Sequence, residues 1–429
     1  MPSGTRYAVL AALCSLPTSA LAAEPWPCPS SIVDKQAEDE ISAVVPADDG
    51  GAFYIGSSGP SFDRAVARDM WILKVESDGR PTQERVLMTG PSQEVAGAVP
   101  LRQGGFTLAI GRSTGALPTS VQLMRFDRNG DPIAGQSVVL DNGGMWDQPR
   151  DLAVSMDGSR YAVVHDTASS ENGRGEACIT FVDSAFPVRV EPDENGIATS
   201  SATTGHFCTA ASPHTDFRAV EAIGPGRWGV LGTVEESAAK NHKRLRYLVV
   251  DETAGIIRDT RIASKLGSED AVDLVRLDDG TLVAVANAMN ADSTRGWVAH
   301  IDPSGRVLSA QQVGPSTPTS KTKNDAWGLS AATATRDGGL VLGGTRTTRG
   351  APPDTASRGW VVRLDRSMHE VVDSELNPTN DLSVTGVWVA SDGRVRLAGR
   401  NKKQSSADHD GWSAVVAAGS GDVCQVLLR

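Results

Sequence analysis

Aromatic residues, cysteine and histidine are scarce in this sequence of 429 residues: aromatic side chains make up 5% of it, and it has five cysteines and seven histidines. Beyond the N-terminal region, no apolar run is long enough for a membrane-spanning helix. Basic residues number 41 against 52 acidic ones, which gives a net charge of −11. Nucleic-acid binding depends on neutralising phosphates, so an acidic chain is poorly suited to it. We therefore predict neither a membrane span nor a nucleic-acid partner.

Familiar catalytic motifs are absent as well. The sequence has no G-x-S-x-G nucleophile elbow, no H-E-x-x-H zinc helix, no phosphate-binding P-loop and no S-x-D-x-G-x-T-W box. The segment DRNGD at 127–131 resembles a calcium loop but lacks the glutamate at position twelve. Catalytic roles therefore stay unassigned, and the sequence weighs against an enzyme without excluding one.

The first residues have the pattern of a secretory signal peptide. An apolar run at 7–16 is too short to cross a bilayer, and a small-x-small cleavage site ends at Ala22. Leu13 stands before Cys14, where a lipidation site needs a small residue. We predict that 1–22 is a signal peptide and that the protein is freely soluble in the periplasm or secreted. An N-terminal strand of a cytosolic protein is the alternative.

Four cysteines remain once such a signal is removed. Exported proteins form disulfides readily, and four cysteines allow three pairings. Cys28 and Cys424 lie near the two ends of the chain, whereas Cys178 and Cys208 are close in sequence. We predict the bonds Cys28–Cys424 and Cys178–Cys208. Zinc binding is the alternative, although no paired C-x-x-C spacing supports it.

A turn signal rich in Asp and Gly recurs along the whole mature chain. Its anchor glycines are 54, 53, 68, 54, 59 and 54 residues apart. The anchors are Gly51, Gly105, Gly158, Gly226, Gly280, Gly339 and Gly393. A roughly constant period that fills the chain indicates a repeat architecture.

Each repeat has the same internal order of short apolar runs, tight turns and one variable loop. Around Gly339, LVLGG at 340–344 follows the turn and WVVRLD at 360–365 follows the loop. Such runs, bounded by glycine turns, are typical of antiparallel hairpins. The pattern predicts an all-β fold, a single seven-bladed β-propeller with four antiparallel strands per blade. A parallel β-solenoid is less favoured, because its repeat is usually much shorter.

The pattern DGG-apolar-G…W-apolar-LD resembles the repeats of exported bacterial β-propeller proteins of unassigned role, related in architecture to kelch and WD propellers. The resemblance covers nearly all of the mature chain, 23–429. It implies a fold and no activity, because the matching residues are scaffold ones. The predicted blades are approximately 33–87, 88–140, 141–208, 209–263, 264–314, 315–376 and 377–429.

Propeller geometry predicts two different faces. The first and last blades are neighbours, so Cys28 and Cys424 are expected to meet and tie the ring shut. Turns between strands one and two, and between three and four, share one face and are tight. The other face carries the long, variable loops. Function concentrates on loops held by a rigid scaffold, so binding is expected on the long-loop face, around the central channel.

An acidic residue lies shortly before the predicted innermost strand of most blades. Such a ring at the channel mouth could bind a cation such as calcium. A repeated structural role in turns is the alternative that we favour. The acidic positions are Asp39, Glu94, Asp151, Asp216, Asp270, Asp325 and Asp381.

Five of the seven histidines also fall on the long-loop face: His165, His206, His214, His242 and His409. The neighbouring pairs His165-Asp166 and His409-Asp410 have the side-chain types of transition-metal ligands. Their predicted blades, three and seven, are not adjacent. No cofactor is therefore predicted, and a calcium or transition-metal ion at the channel mouth stays open as an alternative.

The loops of predicted blades six and seven are locally basic. On an acidic protein this contrast favours recognition of a carboxylate or an acidic partner, with a solvated loop as the alternative. The basic residues are Arg346, Arg349, Arg358, Arg400, Lys402 and Lys403. Three tryptophans, Trp297, Trp360 and Trp412, could stack on sugars, but their place at strand starts favours packing between blades.

Two functional hypotheses follow. The first is an exported, monomeric binding module that presents its long-loop face to a protein, peptide or glycan. The second is a metal-dependent hydrolase or lyase at the channel mouth that uses His165, Asp166 or His409. The regular scaffold and the variable loops favour the first.

Overall fold

A computed structural model describes most of the chain from Glu38 onwards. The predicted signal peptide and Cys28 lie outside the described residues. These are 38–59, 68–77, 80–88, 93–113, 118–140, 146–168, 175–185, 203–209, 214–237, 242–262, 264, 267–290, 293–314, 325–348, 356–376, 381–390, 393–402, 409–416 and 423–426.

All long elements in this part of the chain are strands. The first fourteen are β1 Glu38–Pro46, β2 Ala52–Gly59, β3 Asp69–Val75, β4 Pro81–Met88, β5 Gln93–Pro100, β6 Phe106–Ser113, β7 Pro118–Phe126, β8 Pro132–Leu140, β9 Trp146–Val154, β10 Arg160–Ala168, β11 Glu176–Asp183, β12 Thr203–Cys208, β13 Thr215–Gly224 and β14 Arg227–Ser237. The others are β15 His242–Asp251, β16 Gly255–Ile262, β17 Ser268–Arg276, β18 Leu282–Met289, β19 Thr294–Ile301, β20 Val307–Val313, β21 Ala326–Ala334, β22 Leu340–Thr348, β23 Ala356–Leu364, β24 Glu370–Leu376, β25 Asp381–Val389, β26 Val395–Lys402, β27 His409–Val416 and β28 Val423–Val426. The described residues contain no helix long and apolar enough to span a membrane.

The strands pair antiparallel in chain order, four at a time, and we number these groups one to seven. Groups one to four and group seven form five separate four-stranded sheets. Groups five and six share one eight-stranded sheet, because a parallel bridge joins Thr294 in β19 to Ala326 in β21. The all-β prediction with four-stranded antiparallel blades is confirmed. The prediction of seven separate blades is corrected to five four-stranded sheets and one of eight strands.

The first strand of each group belongs to an inner ring. Strand β1 contacts β5, which contacts β9, and the chain of contacts continues through β13, β17, β21 and β25 back to β1. Four-stranded antiparallel sheets arranged around such a ring form a β-propeller. The sheets pack face to face, and each buried cluster draws apolar residues from neighbouring groups.

The two ends of the described chain meet at the seam between group seven and group one. Ala398 of β26 lies in the same buried cluster as Ile41 of β1. The Thr385 hydroxyl in β25 donates a hydrogen bond to the Ile41 carbonyl oxygen. The expected contact between the first and last blades is therefore confirmed. The bond Cys28–Cys424 stays a prediction, because Cys28 lies outside the described residues.

Tight turns join strands one and two of each group, and strands three and four of groups one, two, four, five and six, as the Asp-Gly signals predict. Group three departs from the expected uniform turns, because β11 ends at Asp183 and β12 begins only at Thr203. At one of the tight turns, Asp279 Oδ1 accepts from the Thr281 amide at 3.0 Å, and Gly280 has a φ of 83°. Glycine adopts this left-handed conformation without steric cost. Hydrogen bonds from Ser155 and from Ser159 likewise hold the pKa of Asp157 at about 2.

Every inner strand carries a β-bulge near the same point, where one residue is skipped in the pairing with the second strand. A bulge bends the strand and re-aims the extra side chain. The bulged residues are Ser42, Ala96, Arg150, Arg218, Val272, Ser330 and Thr385. These positions vary in chemistry although the scaffold around them repeats.

Tryptophans of the third strands are structural. Trp71, Trp360 and Trp412 are buried and lie opposite glycines 56, 344 and 399 of the second strands. A Cβ on Gly56 would come within 2.3 Å of Trp71 Cζ2, so the ring needs the glycine beneath it. Packing, rather than sugar stacking, accounts for these side chains.

Candidate functional site

Four charged side chains meet where β9, β10 and β13 approach the long-loop face. We call Arg150, Asp166, Asp216 and Arg218 the channel-mouth cluster. Arg150 Nε donates to Asp166 Oδ2 at 2.7 Å and lies 3.8 Å from Asp216 Oδ1. Arg218 pairs with the other oxygen of Asp216. The bulges explain this meeting, because Arg150 and Arg218 are the bulged residues of neighbouring inner strands.

Burial and neighbouring charges act in opposite directions on the ionisable groups of this cluster. Burial raises the pKa of Asp166 to about 6, against the lowering effect of Arg150. Burial would lower the pKa of Arg150, but the Asp166 and Asp216 carboxylates raise it overall. The side chain of Arg218 is 38% exposed, against 17% for Arg150. Solvent therefore reaches the cluster mainly from the Arg218 side.

A hydrogen bond connects the part of group three that holds the channel-mouth cluster to group two. Gln148 Nε2, in β9, donates to Glu94 Oε2, in β5, at 2.7 Å. The predicted residues Asp166, Asp216 and Glu94 thus share one part of the long-loop face. Sequence reasoning missed Arg150 and Arg218. The segments QPRDLAV and DFRAVEA mix charged and apolar residues, so neither arginine stands out in the sequence.

The predicted acidic positions do not share one place in the repeat. Glu94, Asp216 and Asp270 occupy equivalent positions, two residues before the bulge. Asp39 is buried and lies one residue earlier, three residues before its bulge. Asp325 precedes β21 and Asp381 begins β25. Asp151 follows its bulge directly.

Side chains, more than turn amides, pair with these acids. Asp270 accepts from Lys243 Nζ at 2.9 Å, and Asp325 accepts from Arg346 Nη2 at 2.7 Å. Asp216 pairs with Arg218, and Glu94 accepts from Gln148. Asp151 instead accepts from the backbone amides of Leu152 and Val220.

Asp151 is one of three carboxyls on the inner strands of groups three, four and five, and the other two are Glu221 and Asp273. Asp151 Oδ2 accepts from the Val220 amide at 2.9 Å, and Asp273 Oδ2 accepts from the Ala332 amide at 2.9 Å. Each bond ties an inner strand to the next group. Burial, reinforced by nearby carboxyls, raises the pKa of Asp151 and of Glu221 to about 8. Burial raises the pKa of Asp273 to about 6.

The predicted basic residues of group six are engaged by acids. Arg346 pairs with Asp325 and with Glu375, and Arg358 Nη1 donates to Glu375 Oε2 at 2.9 Å. The Arg346 guanidinium lies 4.7 Å from the centre of the Trp327 ring. Recognition of an acidic partner by these two arginines would require their present pairs to open.

The remaining predicted residues of group seven are only partly described. Arg400 Nε donates to Ser383 Oγ at 3.2 Å. The backbone of β27 pairs His409 with Lys402 and Asp410 with Asn401. The side chains of His409 and Asp410, like Arg349 and Lys403, lie outside the described residues.

His165 and Asp166 point in different directions, because consecutive residues of a strand face opposite sides of the sheet. The His165 ring is fully buried, and its Nε2 lies 2.9 Å from Thr180 Oγ1. Burial lowers the pKa of His165 to about 3, so the ring is neutral. Within the described residues, the structure therefore gives this pair no shared ligand site at the channel mouth.

The predicted bond Cys178–Cys208 is present, between directly opposed residues of β11 and β12. Its position beside His206 was not anticipated. His206 Nε2 lies 3.0 Å from Cys208 Sγ, and His206 Nδ1 lies 2.8 Å from Thr180 Oγ1. The signal for this arrangement was the pair of short segments C-x-T and H-x-C.

A cavity of roughly 450 Å³ opens on the tight-turn face. Its lining includes Arg102, Arg125, Glu221, Arg276 and Tyr161. Arg102 donates to the Met156 carbonyl oxygen at 3.0 Å. Sequence reasoning placed no binding residues on this face, because its turns are short and regular.

Comparison with known proteins identifies the fold. No family model and no curated protein matches the chain. Among solved structures, the chain is similar to a puromycin hydrolase, with a TM-score of 0.57 and 12% identity over 94% of this chain and 55% of that one. It is also similar to the β-propeller domain of the trilobed protease from Pyrococcus furiosus, with a TM-score of 0.50 and 10% identity over 91% of this chain and 96% of that one. This chain thus spans about half the length of the hydrolase. At identities this low, the similarity shows a common β-propeller fold alone.

Proposed function

We propose that the protein is an exported binding module, and that the channel-mouth cluster forms part of the surface that contacts a protein, peptide or glycan. The observation that supports this is a partly exposed network of two arginines and two carboxylates on the long-loop face. Its charges satisfy one another in the free protein. A partner that carries both cationic and anionic groups can displace these internal pairs. It can then form charge-assisted hydrogen bonds with the arginines and the carboxylates of the cluster.

We further propose that the eight-stranded sheet represents two blades, which gives seven blades near the boundaries expected from the repeats. Groups five and six each have a complete antiparallel ladder of four strands, and one parallel bridge joins them. A monomeric protein with a cleaved N-terminal signal and a periplasmic or secreted location completes this proposal.

The binding proposal is tested by pull-down from a periplasmic extract. Arg150→Gln and Arg218→Gln should each weaken partner binding at least about tenfold, since a hydrogen bond to a charged group contributes roughly 1.5–3 kcal/mol. Arg306→Gln is the matched control, because Arg306 is 73% exposed and pairs with Asp302 at a tight turn on the other face. Unchanged recovery with both cluster variants, at unchanged circular dichroism, would remove the cluster from the binding surface.

The alternative is a metal-dependent hydrolase or lyase with its site at the channel mouth. The names of two solved structures with similar folds, a puromycin hydrolase and a protease, motivate it by fold alone. Metal analysis of protein purified without chelators separates the two proposals. A stoichiometric ion lost in Asp166→Asn or Asp216→Asn would favour the hydrolase. Metal-free protein that still recovers its partner would favour the binding module.

A further inference from the structure

The outer strands of group three place four chemically active side chains on one face. Cys178 lies opposite Cys208, and Thr180 lies opposite His206, in the register of β11 and β12. Residues two apart along a strand share a face, so these four side chains form a square. His165 of β10 lies opposite Cys178 and extends the same face inward.

Hydrogen bonds orient the His206 ring within this square. Thr180 Oγ1 lies 2.8 Å from His206 Nδ1 and 2.9 Å from His165 Nε2. Both contacts are satisfied when His206 Nδ1–H donates to Thr180 and the Thr180 hydroxyl donates to His165. His206 Nε2 then carries its lone pair toward Cys208 Sγ, 3.0 Å away. An imidazole whose second nitrogen is held by an oxygen is the usual arrangement of a histidine that binds a metal.

We propose that Cys178, Cys208 and His206 form a latent site for a thiophilic divalent cation, zinc above all, which opens when the disulfide is reduced. The ligand atoms Cys178 Sγ, Cys208 Sγ and His206 Nε2 all lie within 4.8 Å of one another. Two sulfurs and one imidazole nitrogen are ligand types that zinc prefers, with a fourth position left to water or another ligand.

The reaction balances as a two-electron reduction followed by metal binding. An external dithiol gives two electrons and two protons to the Cys178–Cys208 bond and becomes a disulfide itself. The two new thiols lose their protons when they bind the cation. The sulfurs need to separate to about 3.8 Å, the distance set by tetrahedral coordination with Zn–S bonds of about 2.3 Å.

The strand register keeps the ligands close after reduction. The Thr209 amide donates to the Ala177 carbonyl oxygen at 2.9 Å, directly beside the cysteine pair. Side chains directly opposite on antiparallel strands have Cβ atoms about 4.5–5.5 Å apart without any covalent link. Cys178 is buried, whereas Cys208 is partly exposed and His206 is exposed on the outermost strand of the group. Reductant and cation therefore approach from the Cys208 side.

Cobalt titration tests this proposal. The chain used carries Cys14→Ser, Cys28→Ser and Cys424→Ser, so that Cys178 and Cys208 are its only cysteines. After reduction with excess dithiothreitol and exchange into buffer without reductant under anaerobic conditions, one Co²⁺ per chain should bind. Thiolate charge-transfer absorption and tetrahedral d–d bands should appear, and Zn²⁺ should abolish them. The oxidised chain should show neither.

Single substitutions test which side chains contribute to cobalt binding. His206→Gln should weaken binding at least tenfold, and Thr180→Val about tenfold, the usual effect of losing an outer hydrogen bond. His300→Gln is the control, because His300 lies in group five and contacts Thr281 at 2.7 Å; its binding should equal that of the parent.

A reduced, folded chain without thiolate–cobalt absorption would overturn the proposal, as would unchanged affinity in His206→Gln. If reduction unfolds the chain, added Zn²⁺ should restore its circular dichroism, and failure to do so would also overturn it. If the chain with the three serine substitutions does not fold, the reduced native chain is compared with the double variant Cys178→Ser/Cys208→Ser. Equal cobalt binding by these two proteins would also overturn the proposal.

Discussion

Groups three and six use the same repeat position for different purposes. In group six, Trp360 of the third strand lies over Gly344 of the second. In group three the equivalent residues are Cys178 and His165. The tryptophan fills the space between sheets, whereas the cysteine, in its disulfide with Cys208, and the histidine form a polar face. A repeat scaffold can thus exchange one apolar contact for a chemical site without changing its strand register.

The bulges of the inner strands show the same division. Ser330 and Thr385 donate hydrogen bonds to carbonyl oxygens of the next inner strand, at Val384 and Ile41. Arg150, at the equivalent point of group three, reaches carboxylates at the channel mouth. Hydroxyls at this position fasten neighbouring groups together, and arginines there present charge. Breaking each contact should therefore have different effects on stability.

The largest expected effect is on the tryptophan side of the comparison. Trp360 is fully buried, and its Nε1 donates to Asp373 Oδ1 at 2.7 Å. Trp360→Ala should lower the free energy of unfolding by about 3–5 kcal/mol, because it leaves a cavity and an unpaired carboxylate. Urea denaturation followed by circular dichroism measures this. Val371→Ala, at a 53% exposed position, is the control and should change it by about 0.5 kcal/mol or less. A small loss for Trp360→Ala would show that the third-strand tryptophan is dispensable.

An intermediate effect concerns Glu221, which lies three residues after the bulge of β13; the equivalent residues of groups six and seven, Thr333 and Trp388, carry no carboxyl. The pKa of Glu221 is raised from 4.5 to about 8. Between these values the folded protein keeps a proton that the unfolded chain has lost, so stability should fall as pH rises from about 4 to about 8.

Glu221→Gln removes this titration. The difference in unfolding free energy, variant minus wild type, should therefore increase as pH rises from about 4 to about 8. It should reach its maximum above about pH 8. Chemical denaturation at a series of pH values measures the difference. A constant offset between the two proteins across the window would show that Glu221 is ionised in the folded state.

The smallest expected effect is at the seam. Thr385→Val removes the hydroxyl that donates to Ile41 and should cost about 1 kcal/mol. Thr82→Val is the control, because its exposed hydroxyl makes a long contact of 3.4 Å to the Lys74 carbonyl oxygen. Equal stability of the two variants would mean that apolar packing around Ile41 closes the ring alone.

The architecture was largely predictable because its signals are local. Asp-Gly turns and the tryptophan at the third strand recur with the period of the repeat, and Cys178 and Cys208 are close in sequence. The opposed directions of His165 and Asp166 also follow from the period of a strand. That period alone argued against their use as one metal site.

The channel-mouth cluster was not predictable, because it depends on contacts between groups. Arg150 and Asp216 are far apart in the chain and meet only when β9 packs beside β13. Whether a residue is bulged depends on its pairing with the second strand, which leaves no mark at Arg150 or Arg218. The joining of groups five and six depends on one bridge, between Thr294 and Ala326, that no sequence period encodes.

Among the described residues, every group completes its antiparallel ladder with consecutive strands, and no group borrows a strand from the other end of the chain. A cut in the connection between two groups would therefore leave every ladder whole. Circular permutants that begin at β5, β9 or β13, with the original ends joined by a linker across the seam, should keep the same architecture. The position at which the chain begins is therefore independent of the order of the groups around the ring.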